Sequence, residues 1–225
     1  MLTRIALRSS QNLPKERSLL KLIAATCAAA CLAAPVFAAS LTTGFAGGNG
    51  GDGNVFDIQI GAADITVTAL ELNLESVDAD MEVYYRLGGY IGNTGSTTGW
   101  TLWDTATALA ANARGTPTPW DVVDQGFAAG QTYGIYVTTT DGERLRYTNG
   151  TTEGSVLASD AALTIFEGRG VTYPFFNTFF PRKWNGTMIY DVASVSASPV
   201  PLPAALPLAL LGFGALAAVA RRRRA

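Results

Sequence analysis

The sequence contains no histidine, and its only two cysteines are Cys27 and Cys31, near the N-terminus. Without histidine there is no Ser-His or Cys-His nucleophile and no His-ligated metal centre. From residue 39 onward no cysteine remains, so a domain there must be held by an ordinary core rather than by disulfides. Charge is also scarce: 15% of residues are Asp, Glu, Lys or Arg, against about 25% in a typical soluble domain. That shortfall points to membrane-directed segments or to a surface built from Thr, Gly and Asn, and the chain has both. Carboxylates are the only catalytic groups left in number. At 225 residues the chain fits one domain with appendages.

The N-terminal appendage has the three parts of a secretory signal peptide. Arg4, Arg8, Lys15, Arg17 and Lys21 face a single acid, Glu16, and Leu22 to Ala34 is uncharged. Those 13 residues fall short of a bilayer span, which takes about 20. Pro35 then breaks the run, and Val36-Phe37-Ala38 places small residues for cleavage between Ala38 and Ala39. Acylation of Cys31 is disfavoured, because Ala28 stands where a lipoprotein signal has a Leu-like residue. The expected domains are therefore 1–38 signal peptide, 39–199 folded domain with a Gly-rich lead at 44–53, and 200–225 a second targeting element.

That C-terminal element is the more specific of the two. Val200-Pro201-Leu202-Pro203-Ala204 opens an uncharged run to Ala220, closed by Arg221, Arg222, Arg223 and Arg224. Val200 to Ala220 is 21 residues, or about 31 Å as a helix, enough for a transmembrane sorting helix. The positive-inside rule keeps the Arg cluster in the cytoplasm as a basic stop and leaves the domain outside. Motif, span and basic end together resemble the VPLPA-CTERM sorting signal, a relative of the PEP-CTERM signal of Gram-negative bacteria that make exopolysaccharide; Pro201-Leu202-Pro203 replaces the Pro-Glu-Pro of the commoner version. The resemblance implies export by the Sec machinery, transient anchoring in the inner membrane, and processing by an exosortase-type protease.

Between the signals, residues 39–199 carry seven basic and seventeen acidic side chains, a net charge of −10 that the whole-chain value of −2 conceals. Such a domain repels nucleic-acid phosphates. Helical periodicity is nearly absent. Strands are predicted at 54–60, 65–74, 81–87, 99–105, 132–140, 144–148, 163–168 and 188–195, each rich in β-branched and aromatic residues. In 65–74 the apolar phase shifts by one residue after Ala69, which predicts a β-bulge. Asp141-Gly142 predicts a type I′ hairpin turn. Only 104–114, with its alanines, is assigned a helical turn. The strand count and spacing predict an all-β, jelly-roll-like β-sandwich. Thr118-Pro119-Trp120-Asp121, Ala129 to Val137, Tyr147 to Thr151, Ile165 to Gly168 and Trp184 to Thr187 together resemble uncharacterised β-sandwich modules of secreted bacterial proteins. That similarity implies a module outside the cell and no particular chemistry.

Chemical signals within the domain are few. Six glycines between Gly44 and Gly53 predict a flexible lead, with a calcium loop using Asn49, Asp52 and Asn54 as the alternative. Asp78, Asp80 and Glu82 alternate and would share a strand face; an acid/base pair there, with Trp100 and Trp103 as a sugar platform, is the enzyme alternative, and a solvated face near a turn is the simpler one. Tyr173 to Pro181 holds five aromatics, expected to pack over an end of the sandwich. Asn185-Gly186-Thr187 is expected to turn into the last strand. The expected function is a non-catalytic surface or exopolysaccharide-matrix protein without cofactor or metal, located in the cell envelope, outer surface or extracellular matrix and in contact with exopolysaccharide. A secreted carbohydrate-active enzyme and a calcium-dependent adhesin are the alternatives.

Overall fold

Alternation of apolar and polar residues over short runs yields strands and little else. The computed structural model describes residues 37–142 and 144–194, and every regular element among them is a β-strand. The signal segment up to residue 36, Val200 to Ala204, the apolar span and Arg221 to Arg224 lie outside the described residues. The first half of the domain contains β1 (Phe37–Thr42), β2 (Asn49–Gly51), β3 (Gly53–Ile60), β4 (Ile65–Leu72), β5 (Ala79–Leu87), β6 (Thr101–Leu109) and β7 (Thr118–Phe127). The second half contains β8 (Thr132–Thr139), β9 (Leu145–Asn149), β10 (Val156–Ser159), β11 (Leu163–Phe166), β12 (Gly168–Val171), β13 (Thr178–Trp184) and β14 (Gly186–Val192). They form two antiparallel sheets. The small one runs β1-β14-β4-β7, and the large one β2-β9-β13-β12-β3-β8-β5-β6, with β10 and β11 joined to it through β3.

One hydrophobic cluster draws on both sheets. From β3 come Phe56, Ile58 and Ile60; from β5, Met81 and Val83; from β8, Ile135 and Val137. The small sheet answers with Val67, Leu70, Leu72, Trp120, Met188 and Tyr190. Trp184, fully buried, stacks on Phe56 at 4.8 Å between ring centroids. The phase shift in β4 is a bulge, as expected: Val67 and Leu70 are both buried, and the register slips between Val67 and Ala69 against β7.

Several expectations are corrected. Residues 104–109 continue β6 as a strand rather than forming a helical turn. Asp141-Gly142 does not join a hairpin, because β8 pairs with β3 and β5 while β9 pairs with β2 and β13. The glycine-rich segment is built in: β2 pairs with β9, and a Cβ at Gly53 would come within 2.7 Å of the Tyr136 ring. β7 and β13 escape recognition in the sequence because each contains a proline. Pro119 is tolerated because β7 lies at a sheet edge, and Pro181 because β13 is bulged against β12 there. Ala38 and Ala39, the expected cleavage pair, lie in β1 opposite Asp191 and Tyr190.

Gly168 marks the tightest approach in the large sheet. A Cβ there would sit 1.9 Å from the Val55 carbonyl oxygen, backbone that cannot swing away. Gly168→Ala is therefore expected to destabilise the domain by about 3 kcal/mol, the upper end for overpacking. Equilibrium urea unfolding measures it, and an unchanged midpoint contradicts the packing described.

Candidate functional site

The large sheet has a second face, and its residues are the outward members of the same alternating strands. Val55 and Asp57 on β3, Tyr84 and Arg86 on β5, and Tyr136 on β8 point away from the shared core. Loops cover part of this face. Trp100, just before β6, and Phe175 close over Tyr136, with Phe175 only 4.4 Å from it between ring centroids. Both are nearly buried, so Trp100 is cover rather than a sugar platform, and Trp103 belongs to the other core, its indole N–H donating to the Val123 carbonyl at 2.6 Å.

The turn after β5 completes the cover. Gly88 and Gly89 take φ of +86° and +80°, a region that favours glycine, and fold the chain back over β8. Gly134 lies beneath: a side chain there would meet the Tyr90 nitrogen at 3.0 Å. Tyr90 is thereby buried, with its N–H donating to Asp57 Oδ1 at 2.9 Å and its hydroxyl donating to Glu153 Oε1 at 2.6 Å. Arg169 grips the same Glu153 through Nε, and through Nη2 at 3.0 Å, while its guanidinium stacks on Phe180. Nearby, Glu167 accepts the Thr151 and Thr152 N–H groups and pairs with Lys183 at 3.2 Å, pinning the loop that carries Glu153.

Where the cover ends, an open cleft of about 430 Å³ remains, lined by Asp57, Gln59, Tyr90, Ile91, Thr132 and Glu153. Asp57, Ile91 and Thr132 also line a neighbouring hollow that reaches Leu87. Ile91 and Leu87 are largely exposed. The site thus combines an apolar rim with a floor of polar groups: Thr132 donates to Gln59 Oε1 at 2.7 Å, and Gln59 Nε2 donates to the Gly130 carbonyl at 3.2 Å. Burial raises the Asp57 carboxyl to about 6, against the Tyr90 N–H and Arg86, which lower it. Burial pushes Glu153 the same way, but the bonds from Arg169 and Tyr90 prevail and hold it below its usual range.

The carboxylates singled out in the sequence lie elsewhere and have structural partners. Asp80 Oδ1 accepts the Ala108 N–H at 2.8 Å, where Ala108 has φ of +49°, and Asp78 Oδ1 accepts the Ala111 N–H at 3.0 Å. Glu82 accepts the Tyr84 hydroxyl at 2.6 Å. The first two are better described as clamps on the end of β6 than as a merely solvated face. In the glycine-rich segment, Asp52 Oδ2 accepts the Tyr173 N–H at 2.9 Å and Asn54 donates to the Arg169 carbonyl at 3.2 Å. Asn49 lies in β2, opposite Tyr147. The aromatic run divides: Phe175 is buried, whereas Phe176, Phe179 and Phe180 are exposed. Asn185-Gly186-Thr187 does lead into β14, with Asn185 accepting from the Thr148 hydroxyl at 3.0 Å. Asp57, Tyr90, Glu153 and Arg169 were not nominated by the sequence, since no spacing links them.

No protein-family model matches the chain, and no curated protein matches it. A solved structure of the cysteine protease and lectin-like domains of Cwp84, a surface layer associated protein of Clostridium difficile, is similar to it with a TM-score of 0.42 and 12% identity. The match covers 69% of this chain and 36% of that one. At that level the likeness carries nothing about fold or activity.

The pKa shifts set a pH dependence with a definite sign. A raised carboxyl favours the protonated folded form, so the contribution of Asp57 is complete below its ordinary value of 3.8 and is lost as pH rises through about 6. Glu153 and Glu167, held low, act in the opposite sense, supporting the fold above about 4.5 and failing as the medium becomes more acid. Asp57→Asn keeps the acceptor for Tyr90 and removes the charge. It is expected to raise the melting temperature at pH 7.5 by about 2–4 °C, the range for 1 kcal/mol in a domain of this size, and to flatten the melting curve between pH 4 and 6.5. Scanning fluorimetry across pH gives the answer, and a lower melting temperature at pH 7.5 rejects the burial account.

Proposed function

We propose that the chain is an exported, non-catalytic module of a bacterial surface layer or exopolysaccharide matrix that holds neutral sugar in the cleft beside Asp57. The observation that carries this reading is the make-up of the cleft: hydroxyl-binding groups on Asp57, Gln59 and Thr132 beside the apolar edges of Tyr90 and Ile91. A pyranose presents the same mixture, with hydroxyls around its rim and C–H faces above and below. The finer fold reading is a jelly-roll sandwich. Taking β1, β3 to β8 and β14 as eight strands, the small sheet runs first, eighth, third, sixth and the large one second, seventh, fourth, fifth. This is a double Greek-key order, with β2 inserted after the first strand and β9 to β13 before the last. Export by the Sec machinery, transient inner-membrane anchoring and exosortase-type processing at Val200 to Ala204 complete the proposal.

Binding is favoured over hydrolysis because Glu153 is already occupied at both oxygens by Tyr90 and Arg169. One feature favours the enzyme reading: Asp57 and Glu153 flank Tyr90 with pKa values pushed apart, as an acid and a base require. One assay separates the two. Neutral oligosaccharides are expected to bind the full-length protein in detergent and to lose affinity about tenfold or more in Asp57→Ala/Gln59→Ala, as expected for lost hydrogen bonds to a charged group. Release of reducing ends by the wild type, abolished by Asp57→Asn, would instead establish catalysis.

Processing is tested independently of ligand. Intact-mass analysis of the product recovered from its host is expected to show an N-terminus at Ala39 and loss of Arg221 to Arg224. Retention of Met1 or of the Arg tail contradicts the sorting proposal.

A further inference from the structure

A second cleft, of about 260 Å³, opens where the glycine-rich β2 meets β12 and β13. Its walls include Asn49, Asp52, Tyr147, Thr172, Phe179 and Arg182. Arg182 is the unusual member. Acids outnumber bases by ten in residues 39–199, and Arg114, Arg144, Arg146, Arg169 and Lys183 each have a carboxylate within 4.0 Å. Arg86 and Arg182 have none among the described residues. Arg86 is consumed by the fold, donating to the Gly89 carbonyl and lying against Trp100. Arg182 makes a single hydrogen bond, from Nη1 to the adjacent Pro181 carbonyl at 2.8 Å, and its Nε is buried without a partner.

The surroundings hold this guanidinium in place without neutralising it. The Tyr147 ring lies 5.7 Å from its central carbon, close enough for a cation–π contact. Tyr147 is itself buried against β2, its hydroxyl 3.0 Å from where a Gly51 Cβ would stand. Phe179 borders the cleft with 49% of its surface exposed. Asn49 and Thr172 supply neutral polar groups, and Asp52 supplies acceptors, although one of its oxygens is taken by the Tyr173 N–H.

We propose that this cleft is a subsite for an acidic sugar, with the Arg182 guanidinium facing the carboxylate of a uronic acid and Phe179 against the sugar ring. A planar, permanently charged fork suits a carboxylate better than a point cation does. An aromatic edge beside it suits a pyranose rather than a bare ion. The inference rests on the glycan-binding reading for its class of ligand but uses a different cleft and different residues, so an acidic polysaccharide would be gripped at Arg182 whether or not neutral sugar binds beside Asp57.

The test uses full-length protein in detergent, trigalacturonate as probe, and the same trisaccharide with its carboxyls reduced to alcohols. The wild type is expected to bind the acidic probe at least about tenfold more tightly than the reduced one, in keeping with a charge-assisted hydrogen bond, and to lose that preference in Arg182→Gln. Phe179→Ser, at an exposed position, is expected to weaken both probes and serves if Arg182→Gln does not fold. Both probes are also titrated in the Asp57→Ala/Gln59→Ala background, which removes neutral-sugar binding beside Asp57 and so distinguishes failure of this subsite from failure of that cleft. Equal affinity for the two probes, unchanged binding in folded Arg182→Gln, undiminished binding in Phe179→Ser, or displacement by inorganic phosphate at concentrations equal to the sugar would each overturn the assignment.

Discussion

A sheet that buries one face against a partner still has another face, and the central constraint on this molecule is that much of that second face is also apolar. Val55, Tyr136 and Val171 stand on it, and leaving them in water would sacrifice several kcal/mol of burial. The described residues form no third sheet, and loops supply the cover: Trp100 from before β6, Phe175 from before β13, and Tyr90 from the turn after β5. The two covering side chains with a polar end need it satisfied as they are buried. Trp100 donates to the Asn93 carbonyl, and Tyr90 to Glu153. The cleft beside Asp57 is the place where this cover stops while the sheet continues.

The electrostatics follow from the same constraint. In an acidic domain the few cations are spent where carboxylates are drawn out of water. Lys183 serves Glu167, which is almost fully buried; Arg169 serves Glu153; and Arg146 and Arg114 share Glu75. Of these, Arg169 and Glu153 form a partly buried pair joined by two hydrogen bonds, unlike exposed pairs that contribute little. Asp57 differs because its nearest help is a backbone N–H and a more distant Arg86, which do not offset its burial. That imbalance distinguishes it from Glu153 on the other side of the same tyrosine. Arg182 is the converse case, a cation with no carboxylate within 4.0 Å among the described residues.

The strands were legible in the sequence where β-branched and aromatic residues cluster between turn residues, as in β3, β5 and β8, and even the bulge in β4 could be read from Leu70 and Leu72 falling out of phase with Ile65 and Val67. Proline hid β7 and β13, because whether a missing N–H matters depends on lying at an edge or a bulge, and neither is a local property. The alanines of 104–114 suggest a helical turn, yet 104–109 are strand. Pairing with β5 and the hold of Asp80 on the Ala108 N–H overrode a weak propensity.

What the sequence determined by itself is what depends on composition and short spacing: a histidine-free chain, a domain without cysteine, a strongly acidic middle, and an all-β fold of two antiparallel sheets. Tertiary structure decided the site. Asp57, Tyr90, Glu153 and Arg169 come from β3, a turn, a loop and β12, and meet only because β12 pairs with β3 and a two-glycine turn folds back over Gly134. It also decided the fates of neighbours with nearly identical chemistry. Phe175 became core while Phe176, Phe179 and Phe180 stayed in water, and Asp78 and Asp80 became clamps on β6 while Asp57 came to face a cleft. The physical reason is that burial and charge pairing are set by strands far apart in the chain, and no window of sequence contains both partners.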